Sequence, residues 1–344
     1  MAWIEPHWQS FTAVSAALCP FSLLFGAVAG ARRAAYRAGL IPGVKLPVPV
    51  IVSGNITAGG TGKTPLALWL AAYLRARGRT PGIVCRGYGG RSSTPQRVLP
   101  DSDPNDCGDE AVLLARRSSC EVWAGVDRVA VARSLLAARP ACDVLISDDG
   151  LQHYALARDV ELCVVDAARG FGNGWLLPAG PLREPPSRLA TVDAVVVNAS
   201  DGSVPHPSLA LIPAPTARFT MKLEGREFRN ILNPGQRVDP GYFSGRRVHA
   251  VAGIGNPQRF FSRLRGLGLE FTAHPFPDHY RFTASDLAYA GAEAVLMTEK
   301  DAVKCRRFAA HTHWELPVDA VPDNALGERV LRRLGRAAKI EKQD

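Results

Sequence analysis

The residues most suited to chemistry lie in one glycine-rich stretch, SGNITAGGTGKTP, which runs from Ser53 to Pro65. Three glycines precede a lysine and a threonine, and a phosphate-binding loop supplies backbone N–H groups, a cation and a hydroxyl in that order. The usual loop has a further glycine where this chain has Thr57. A plain turn would not explain Lys63 and Thr64 directly after the glycines, so we predict a nucleotide site with a rearranged loop.

The predicted phosphate contacts of this loop are Thr57, Ala58, Gly59, Gly60, Thr61, Gly62, Lys63 and Thr64. Lys63 would reach the terminal phosphates, and the Thr64 hydroxyl would ligate Mg²⁺. An apolar run, VPVIVSG, comes before the loop and a helical pattern comes after it. This strand–loop–helix context is the one that a phosphate loop requires.

Two aspartates end a later apolar run in the segment ISDDGLQHY, which spans Ile146 to Tyr154. In nucleotide-binding sheets a carboxylate at such a strand end holds Mg²⁺, directly or through water. A lone DDG sequence is often only a turn, but the phosphate loop earlier in the chain favours a metal role. We therefore predict Asp148 and Asp149 as metal ligands.

Four other segments contain candidates with weaker support. Asp109 begins a helix in GDEAVLLARR and is either a helix cap or a functional acid. Arg86 lies among glycines in CRGYGG, which suits an anionic substrate but is also typical of a surface arginine. Arg183 and Glu184 end the long loop GFGNGWLLPAGPLREP, and loops of that length usually serve a site. His279 lies in FPDHYRF, where a lone histidine is more often structural than catalytic.

Short apolar runs alternate with helical patterns along most of the chain. VPVIVSG, CDVLISDDG, VELCVVDAARG and VDAVVVNASD each predict a buried strand that ends in polar residues. Strands that alternate with helices indicate a P-loop NTPase-like parallel sheet with helices on both faces, whose ligands bind at the carboxyl ends of the strands. We predict a nucleotide-binding domain at 41–215, a linker strand region at 216–244 and a smaller α/β domain at 245–344.

The first 40 residues form a separate, apolar segment. Residues 6–31 contain no Asp, Glu, Lys or Arg. Three arginines follow directly: Arg32, Arg33 and Arg37. A spanning helix needs about 20 apolar residues, which this segment barely has, and Pro20 is also compatible with an interfacial hairpin. We predict that residues 1–40 associate with a membrane, with the arginines on the cytoplasmic side; the alternative is a buried core helix.

The overall charge and the cysteines limit the possible partners. A formal net charge of +9 over 344 residues favours an anionic partner. The chain has no run of five basic residues and no nucleic-acid motif, so a phospholipid surface or a phosphorylated substrate is favoured over nucleic acid. The seven cysteines are scattered without a C-x-x-C pair, which argues against a disulfide framework or a zinc site.

Taken together, the motifs resemble those of the tetraacyldisaccharide 4′-kinase family, the lipid A 4′-kinases of Gram-negative bacteria. In chain order they are GNITAGGTGKTP, CRGYGG, GDEA, SDDGLQH, GNGWLLPAGPLREP, FPDHYRF and LMTEKDAVKC. They run from residue 54 to residue 305, most of the chain. The GDEA motif departs from the family in lacking a proline after the glutamate, which leaves its acidic pair intact.

The resemblance implies that ATP, with Mg²⁺, phosphorylates the 4′-hydroxyl of a tetraacyldisaccharide 1-phosphate to give lipid IVA. It implies that Asp109 accepts the hydroxyl proton with His279 as its partner, and that Lys63 stabilises the transferred group. The implied metal ligands are Thr64, Asp148, Asp149 and Glu184, and the implied substrate contacts are Arg86 and Arg183. The enzyme would act at the cytoplasmic face of the inner membrane, attached peripherally or monotopically, with neither nucleic acid nor an obligatory protein partner.

Two other functions stay open from the sequence. The double-glycine loop is compatible with a GTPase or ATPase switch, and NASD at 198–201 faintly resembles the guanine-reading N-K-x-D, although Ala199 replaces the lysine. Such a switch would prefer GTP and hydrolyse it without lipid. A membrane-anchored binding module would transfer no phosphate to a lipid acceptor at all.

Overall fold

Two β-sheets organise the residues that the structure describes, 4–200, 202 and 204–340 of a computed structural model. The first eight strands are β1 (Val50–Gly54), β2 (Pro81–Cys85), β3 (Gln96–Val98), β4 (Glu121–Ala124), β5 (Val144–Asp148), β6 (Val160–Asp166), β7 (Ala194–Asn198) and β8 (Arg218–Glu224). The following strands are β9 (Phe228–Asn230), β10 (Arg237–Val238), β11 (Val248–Ala252), β12 (Thr272–Pro275), β13 (Ala294–Thr298), β14 (His313–Leu316) and β15 (Asp319–Pro322). The larger sheet has the order β15-β8-β7-β6-β1-β5-β2-β4-β3, and the smaller has the order β10-β9-β14-β13-β11-β12.

The larger sheet is parallel inside and antiparallel at its edges. Strand β1 lies at its centre, where Ile51 pairs with Ile146 of β5 on one side and with Val160 of β6 on the other. The edge pairs β3–β4 and β8–β15 are antiparallel. Because both faces of a parallel sheet are covered, its strands are apolar at nearly every position, and all five residues of β1 are buried.

Helices cover both faces of this sheet. The helices of the described residues are α1 (Ala13–Arg37), α2 (Lys63–Arg75), α3 (Pro104–Cys107), α4 (Asp109–Ser118), α5 (Arg128–Ala138), α6 (Pro257–Gly266), α7 (Glu299–Cys305) and α8 (Asn324–Ile340), of which α6 packs on the smaller sheet. Ile51 is buried in one cluster with Leu70 of α2 and Leu326 of α8. Val52, on the opposite face, is buried with Leu135 of α5. The predicted parallel sheet with helices on both faces is confirmed.

The smaller sheet has its own core, as the predicted C-terminal α/β unit requires. Phe261 of α6 is buried with Ala250 and Leu296 of its central strands. The sheet membership differs from the predicted boundaries, however. The segment 216–244 does not form a separate linker, since it gives β8 to the larger sheet and β9 and β10 to the smaller one. Strand β15 and helix α8 also belong to the larger unit and not to the predicted C-terminal domain. The sequence could not show this, because the pattern of an edge strand does not indicate which sheet the strand joins.

The apolar N-terminal segment is one continuous helix, α1, with Pro20 inside it. By length and composition it could cross a membrane, since an apolar window has mean hydropathy 1.8 and only 11% of that window is buried. Phe21 and Leu23 are 62% and 66% exposed, so the alternative of a buried core helix is wrong. The Ser22 hydroxyl donates to the carbonyl of Leu176, which fixes one face of the helix to the larger domain.

Candidate functional site

The glycine-rich stretch forms a loop between the end of β1 and the start of α2, as predicted. Gly59 and Gly62 have φ of +91° and +98°, a region that favours glycine. A Cβ on Gly62 would lie 2.8 Å from Asn198 Nδ2, so glycine is also required for space. The first N–H groups of α2 face into this loop without helical partners, which makes the loop a site for anions.

The structure also explains the missing glycine at position 57. Thr57 forms an antiparallel bridge with Leu182, and the Ala58 N–H donates to the Pro181 carbonyl at 2.7 Å. The start of the loop is thus paired with the segment that carries Arg183. An extended residue at position 57 suits this pairing better than a flexible glycine.

Several polar atoms around the loop have no protein partner. The hydroxyls of Ser53 and Thr61 and the Asn55 Oδ1 atom are buried without a hydrogen bond in the described part of the chain. Buried hydroxyls are normally satisfied, so unpartnered ones next to a phosphate loop indicate where ligand atoms bind. These residues therefore fit a bound nucleotide.

The two aspartates after β5 have different surroundings. The Thr64 hydroxyl donates to Asp148 Oδ2 at 3.0 Å. Burial and the nearby Glu110 raise the pKa of Asp148 to about 7 against the opposing charge of Lys63. Burial, more than the neighbouring carboxylates, disfavours the charged form of Asp148, and a bound cation would offset that cost. Thr64 and Asp148 therefore fit a magnesium ion.

Asp149 is instead held by two cations. Its carboxylate lies 3.7 Å from Lys63 Nζ and 3.3 Å from Arg183 Nη1. Burial raises the pKa of Asp149, but Lys63 and Arg183 together bring it below the usual value. In the described residues no group of three or more His, Cys, Asp or Glu is placed to hold a metal alone. This agrees with a magnesium site completed by phosphates and water, the usual arrangement for that ion.

The Asp109 and His279 side chains meet across the two sheets. Asp109 is the first residue of α4, and His279 lies in the loop after β12 in the smaller unit. His279 Nδ1 lies 3.2 Å from Asp109 Oδ2 although 170 positions separate the residues. Gly108, not Asp109, is the N-cap of α4. The carboxylate of Asp109 is therefore available for the pairing that the family resemblance implies.

The Asp109–His279 pair is buried enough to influence both proton affinities. Asp109 is 5% exposed. Burial raises the pKa of Asp109, but the hydrogen bond with His279 and the charge of Lys300 bring it below the usual value. The same hydrogen bond raises the pKa of His279 against the effect of burial. Asp109 is thus ionised at neutral pH and able to receive a proton.

Gly255, in the loop after β11, lies close both to the segment that carries His279 and to the phosphate loop. A Cβ on Gly255 would lie 3.3 Å from Asp278 Oδ2 and 3.7 Å from the backbone nitrogen of Gly60. Gly255 follows β11 of the smaller unit, and Gly60 belongs to the phosphate loop of the larger one. The Asp109–His279 pair and the phosphate loop therefore belong to one site.

Glu184 is engaged elsewhere than predicted. Tyr154 donates its hydroxyl to Glu184 Oε1, and Gln152 Nε2 donates to Oε2 at 2.9 Å. Within the described residues no hydrogen bond joins Glu184 to Thr64 or Asp148. Both carboxylate oxygens of Glu184 have protein partners. Glu184 therefore fits a role in fixing the loop at 170–185 to Gln152 and Tyr154 better than a role as metal ligand.

The two predicted substrate arginines lie in different surroundings. Arg86 follows β2, is exposed, and has its guanidinium 5.9 Å from the Tyr88 ring centroid. Arg183 lies in a groove of about 430 Å³ between α1 and the segment before β7, lined also by Leu23, Arg33 and Leu176. Only Arg183 contacts another predicted site residue, Asp149.

Two residues of the site, Asn198 and Lys300, make contacts that the sequence did not predict. Asn198 ends β7 and donates its Nδ2 to the Thr61 carbonyl at 2.9 Å, so it supports the phosphate loop. Lys300 Nζ lies 3.1 Å from Glu110 Oε1 and 3.4 Å from His279 Nε2. The sequence features that could have indicated the residues of these contacts are the polar end of the apolar run of β7 for Asn198, the motif GDEA for Glu110 and the motif LMTEKDAVKC for Lys300. The fourth residue of NASD, Asp201, lies outside the described residues.

Comparisons with known proteins give one consistent result. A family model described as tetraacyldisaccharide-1-P 4′-kinase matches residues 14–335. The chain is 52% identical over 328 residues to the tetraacyldisaccharide 4′-kinase of Azoarcus sp. (strain BH72), with 95% of this chain and 94% of that protein covered. It is 48% identical over 339 residues to that of Methylobacillus flagellatus, with 98% of each covered. The crystal structure of the "apo" form of LpxK from Aquifex aeolicus in complex with ATP has a TM-score of 0.78 and 28% identity, covering 93% of this chain and 99% of that one.

Proposed function

We propose that this chain, which belongs to the tetraacyldisaccharide-1-P 4′-kinase family, transfers the γ-phosphoryl group of ATP to the 4′-hydroxyl of a tetraacyldisaccharide 1-phosphate. The products are ADP and lipid IVA, an intermediate of lipid A biosynthesis. The hydrogen bond between His279 and Asp109 supports this assignment most directly, because it joins a carboxylate base to the smaller unit, whose Gly255 lies beside the phosphate loop.

The phosphate loop positions the nucleotide and offsets its charge. Backbone N–H groups from Gly59 to Thr64 would surround the phosphates, with the Lys63 ammonium beside the terminal one, while the Ala58 N–H holds the start of the loop through the Pro181 carbonyl. Thr64 and Asp148 would hold Mg²⁺, and Asp149 orders Lys63 and Arg183 around the site. When bound, Mg²⁺ neutralises charge on the β- and γ-phosphates. Phosphoryl transfer depends mainly on such positioning and charge neutralisation.

Asp109 accepts the proton of the 4′-hydroxyl as that oxygen attacks the γ-phosphorus. The bond from this phosphorus to the β,γ-bridging oxygen breaks, and ADP leaves with that oxygen. His279 supports the carboxylate through their hydrogen bond. Since His279 belongs to the smaller unit and Asp109 to the larger, the pair is complete only when the two units are in contact. This arrangement limits hydrolysis of ATP without acceptor.

The acceptor reaches the site from a membrane surface. Removing four acyl chains from a bilayer would cost about 0.8 kcal/mol for each CH₂ group, so the enzyme must come to its lipid. The exposed apolar face of α1 enters the bilayer on the cytoplasmic side of the inner membrane, with Arg32, Arg33 and Arg37 near anionic headgroups. Arg183, in the groove beside α1, and Arg86 contact the phosphorylated disaccharide.

A nucleotide and acceptor comparison tests this function. The chain is incubated with vesicles, with either γ-labelled ATP or γ-labelled GTP, and with or without a total lipid extract from Gram-negative bacteria. We expect label in one lipid, with ATP as the better donor and little release of phosphate without acceptor. Preference for GTP with lipid-independent hydrolysis would support a switch protein instead, and neither transfer nor hydrolysis would support a binding module.

A further inference from the structure

Among the described residues, Lys300 is the cation in contact with the imidazole of His279. It is the second residue of α7, and its Nζ atom lies 3.4 Å from His279 Nε2. The same ammonium lies 3.1 Å from Glu110 Oε1 and 3.6 Å from Asp278 Oδ1. Burial lowers the pKa of Lys300, but Glu110, Asp109 and Asp278 raise it well above the usual value. Lys300 therefore carries its charge at every pH at which the enzyme works.

The contacts at the two ring nitrogens of His279 determine where its proton lies. An ionised Asp109 carboxylate only accepts hydrogen bonds, so His279 Nδ1 must carry a proton and donate it. An ammonium only donates, so His279 Nε2 must be unprotonated to accept from Lys300. The Asp278 oxygen is 3.8 Å from Nε2, too far to accept a hydrogen bond from it. Both contacts require the same neutral tautomer.

We propose that Lys300 is a positioning residue that holds His279 neutral with its proton on Nδ1, and so keeps Asp109 effective as the base. The inference rests on the function proposed above. A second proton on the imidazole would stabilise the Asp109 charge further and make that carboxylate a weaker base. Lys300 opposes this second protonation because its fixed positive charge lies next to the only free ring nitrogen.

The groups that face His279 act in opposite directions on its second protonation. Asp109 and Glu110 approach from α4, Asp278 precedes it in its own loop, Lys300 approaches from α7, and the Tyr88 ring centroid lies 4.8 Å from the imidazole. The hydrogen bond with Asp109 is the largest influence and leaves the pKa of His279 above its usual value, while burial and the Lys300 charge limit that rise. Without Lys300, the charged groups that contact the ring among the described residues would all be acidic and would favour the imidazolium.

Nitrogen NMR of the full-length protein tests the tautomer without any substrate. The eight histidines are labelled with ¹⁵N, and His279→Gln identifies the His279 signals. We expect one protonated nitrogen, Nδ1, and one unprotonated nitrogen, Nε2, at pH values above the midpoint of His279 protonation. In Lys300→Met the midpoint of His279 protonation should rise by about 1–3 pH units, the usual effect of removing a like charge in contact. Lys300→Arg should restore the wild-type midpoint, and Lys222→Met, on the exposed surface of β8, should not change it.

The pH profile of lipid phosphorylation gives a second readout. The acidic limb of kcat should move to higher pH in Lys300→Met by the same amount as the His279 midpoint, and it should return in Lys300→Arg. An unchanged His279 midpoint in folded Lys300→Met would overturn the proposal even if kcat fell. If Lys300→Met does not fold, the wild-type spectrum still decides, because an Nε2–H tautomer of the neutral ring contradicts the proposal. If the spectra show the Nδ1–H tautomer and its dependence on Lys300 but the protein phosphorylates no lipid, the proposed function is refuted and the effect of Lys300 on His279 stands.

Discussion

Asp109 and His279 should act as one catalytic unit, so their substitutions should not be additive. We consider Asp109→Asn, which keeps the shape of the side chain at the start of α4, His279→Ala, and the double variant. The two side chains are joined by a 3.2 Å hydrogen bond. In the proposed mechanism His279 affects the 4′-hydroxyl only by supporting Asp109. Removal of both should therefore be little worse than removal of Asp109.

The sizes of the effects follow from the roles. Loss of a general base costs about 10²–10⁴ in rate, which is the reduction in kcat expected for Asp109→Asn. A hydrogen bond to a charged group contributes about 1.5–3 kcal/mol, so His279→Ala should lower kcat by about 10- to 10²-fold. If the two acted independently, the double variant would lose a further factor of about 10–10² beyond Asp109→Asn. If they act as a unit, the further loss should be less than about threefold.

The assay is transfer of label from γ-labelled ATP into the lipid acceptor with both substrates saturating. His311→Ala provides a matched control, because this imidazole is exposed and lies in the smaller unit away from the site. Strictly multiplicative losses would show that His279 acts by a separate route. A folded Asp109→Asn enzyme with normal kcat would leave Asp109 with only a local structural role at the first turn of α4.

Three further predictions concern the phosphate loop and the membrane. Lys63→Ala should lower phosphoryl transfer at least about 10²-fold, equivalent to about 2.7 kcal/mol, and near-normal turnover of the folded variant would remove Lys63 from the mechanism. Gly62→Ala should cost roughly 1–2 kcal/mol in the free energy of unfolding by urea, because φ there is +98°; an unchanged midpoint would contradict the strain argument. Leu24→Ser combined with Val28→Ser should weaken sedimentation with anionic vesicles at least tenfold, since each buried apolar side chain contributes about 1.5–3 kcal/mol, and these two are 64% and 62% exposed. Val321→Ser, 49% exposed on β15, should sediment like the wild type, and equal sedimentation of both variants would place the membrane surface elsewhere.

Local patterns predicted the parts of the site that are contiguous in sequence. The phosphate loop and the Asp148–Asp149 pair each lie at the end of a buried strand, and the structure brings Thr64, Asp148 and Asp149 together around that loop. Such features are readable because the chemistry and the strand that positions it occupy adjacent residues.

Features that depend on tertiary contacts could not be predicted in this way. Asp109 and His279 are paired only through the packing of the two sheets, and only the family resemblance related them. The contacts of Glu184 with Tyr154 and Gln152 depend on the path of a long loop, which no local pattern specifies. For the same reason β15, whose alternating pattern fits either sheet, could not be assigned to the larger one.

The central claim is that this chain phosphorylates the 4′-hydroxyl of an acylated disaccharide 1-phosphate. The most direct measurement is ³¹P NMR of the lipid recovered after incubation of the purified chain with ATP, Mg²⁺ and a defined tetraacyldisaccharide 1-phosphate in mixed micelles. A second phosphomonoester signal, coupled to the proton at the 4′ carbon, is the result that the proposed function predicts. An acceptor that keeps only its original phosphate while ATP is hydrolysed, or a new phosphate at another position of the lipid, would contradict it.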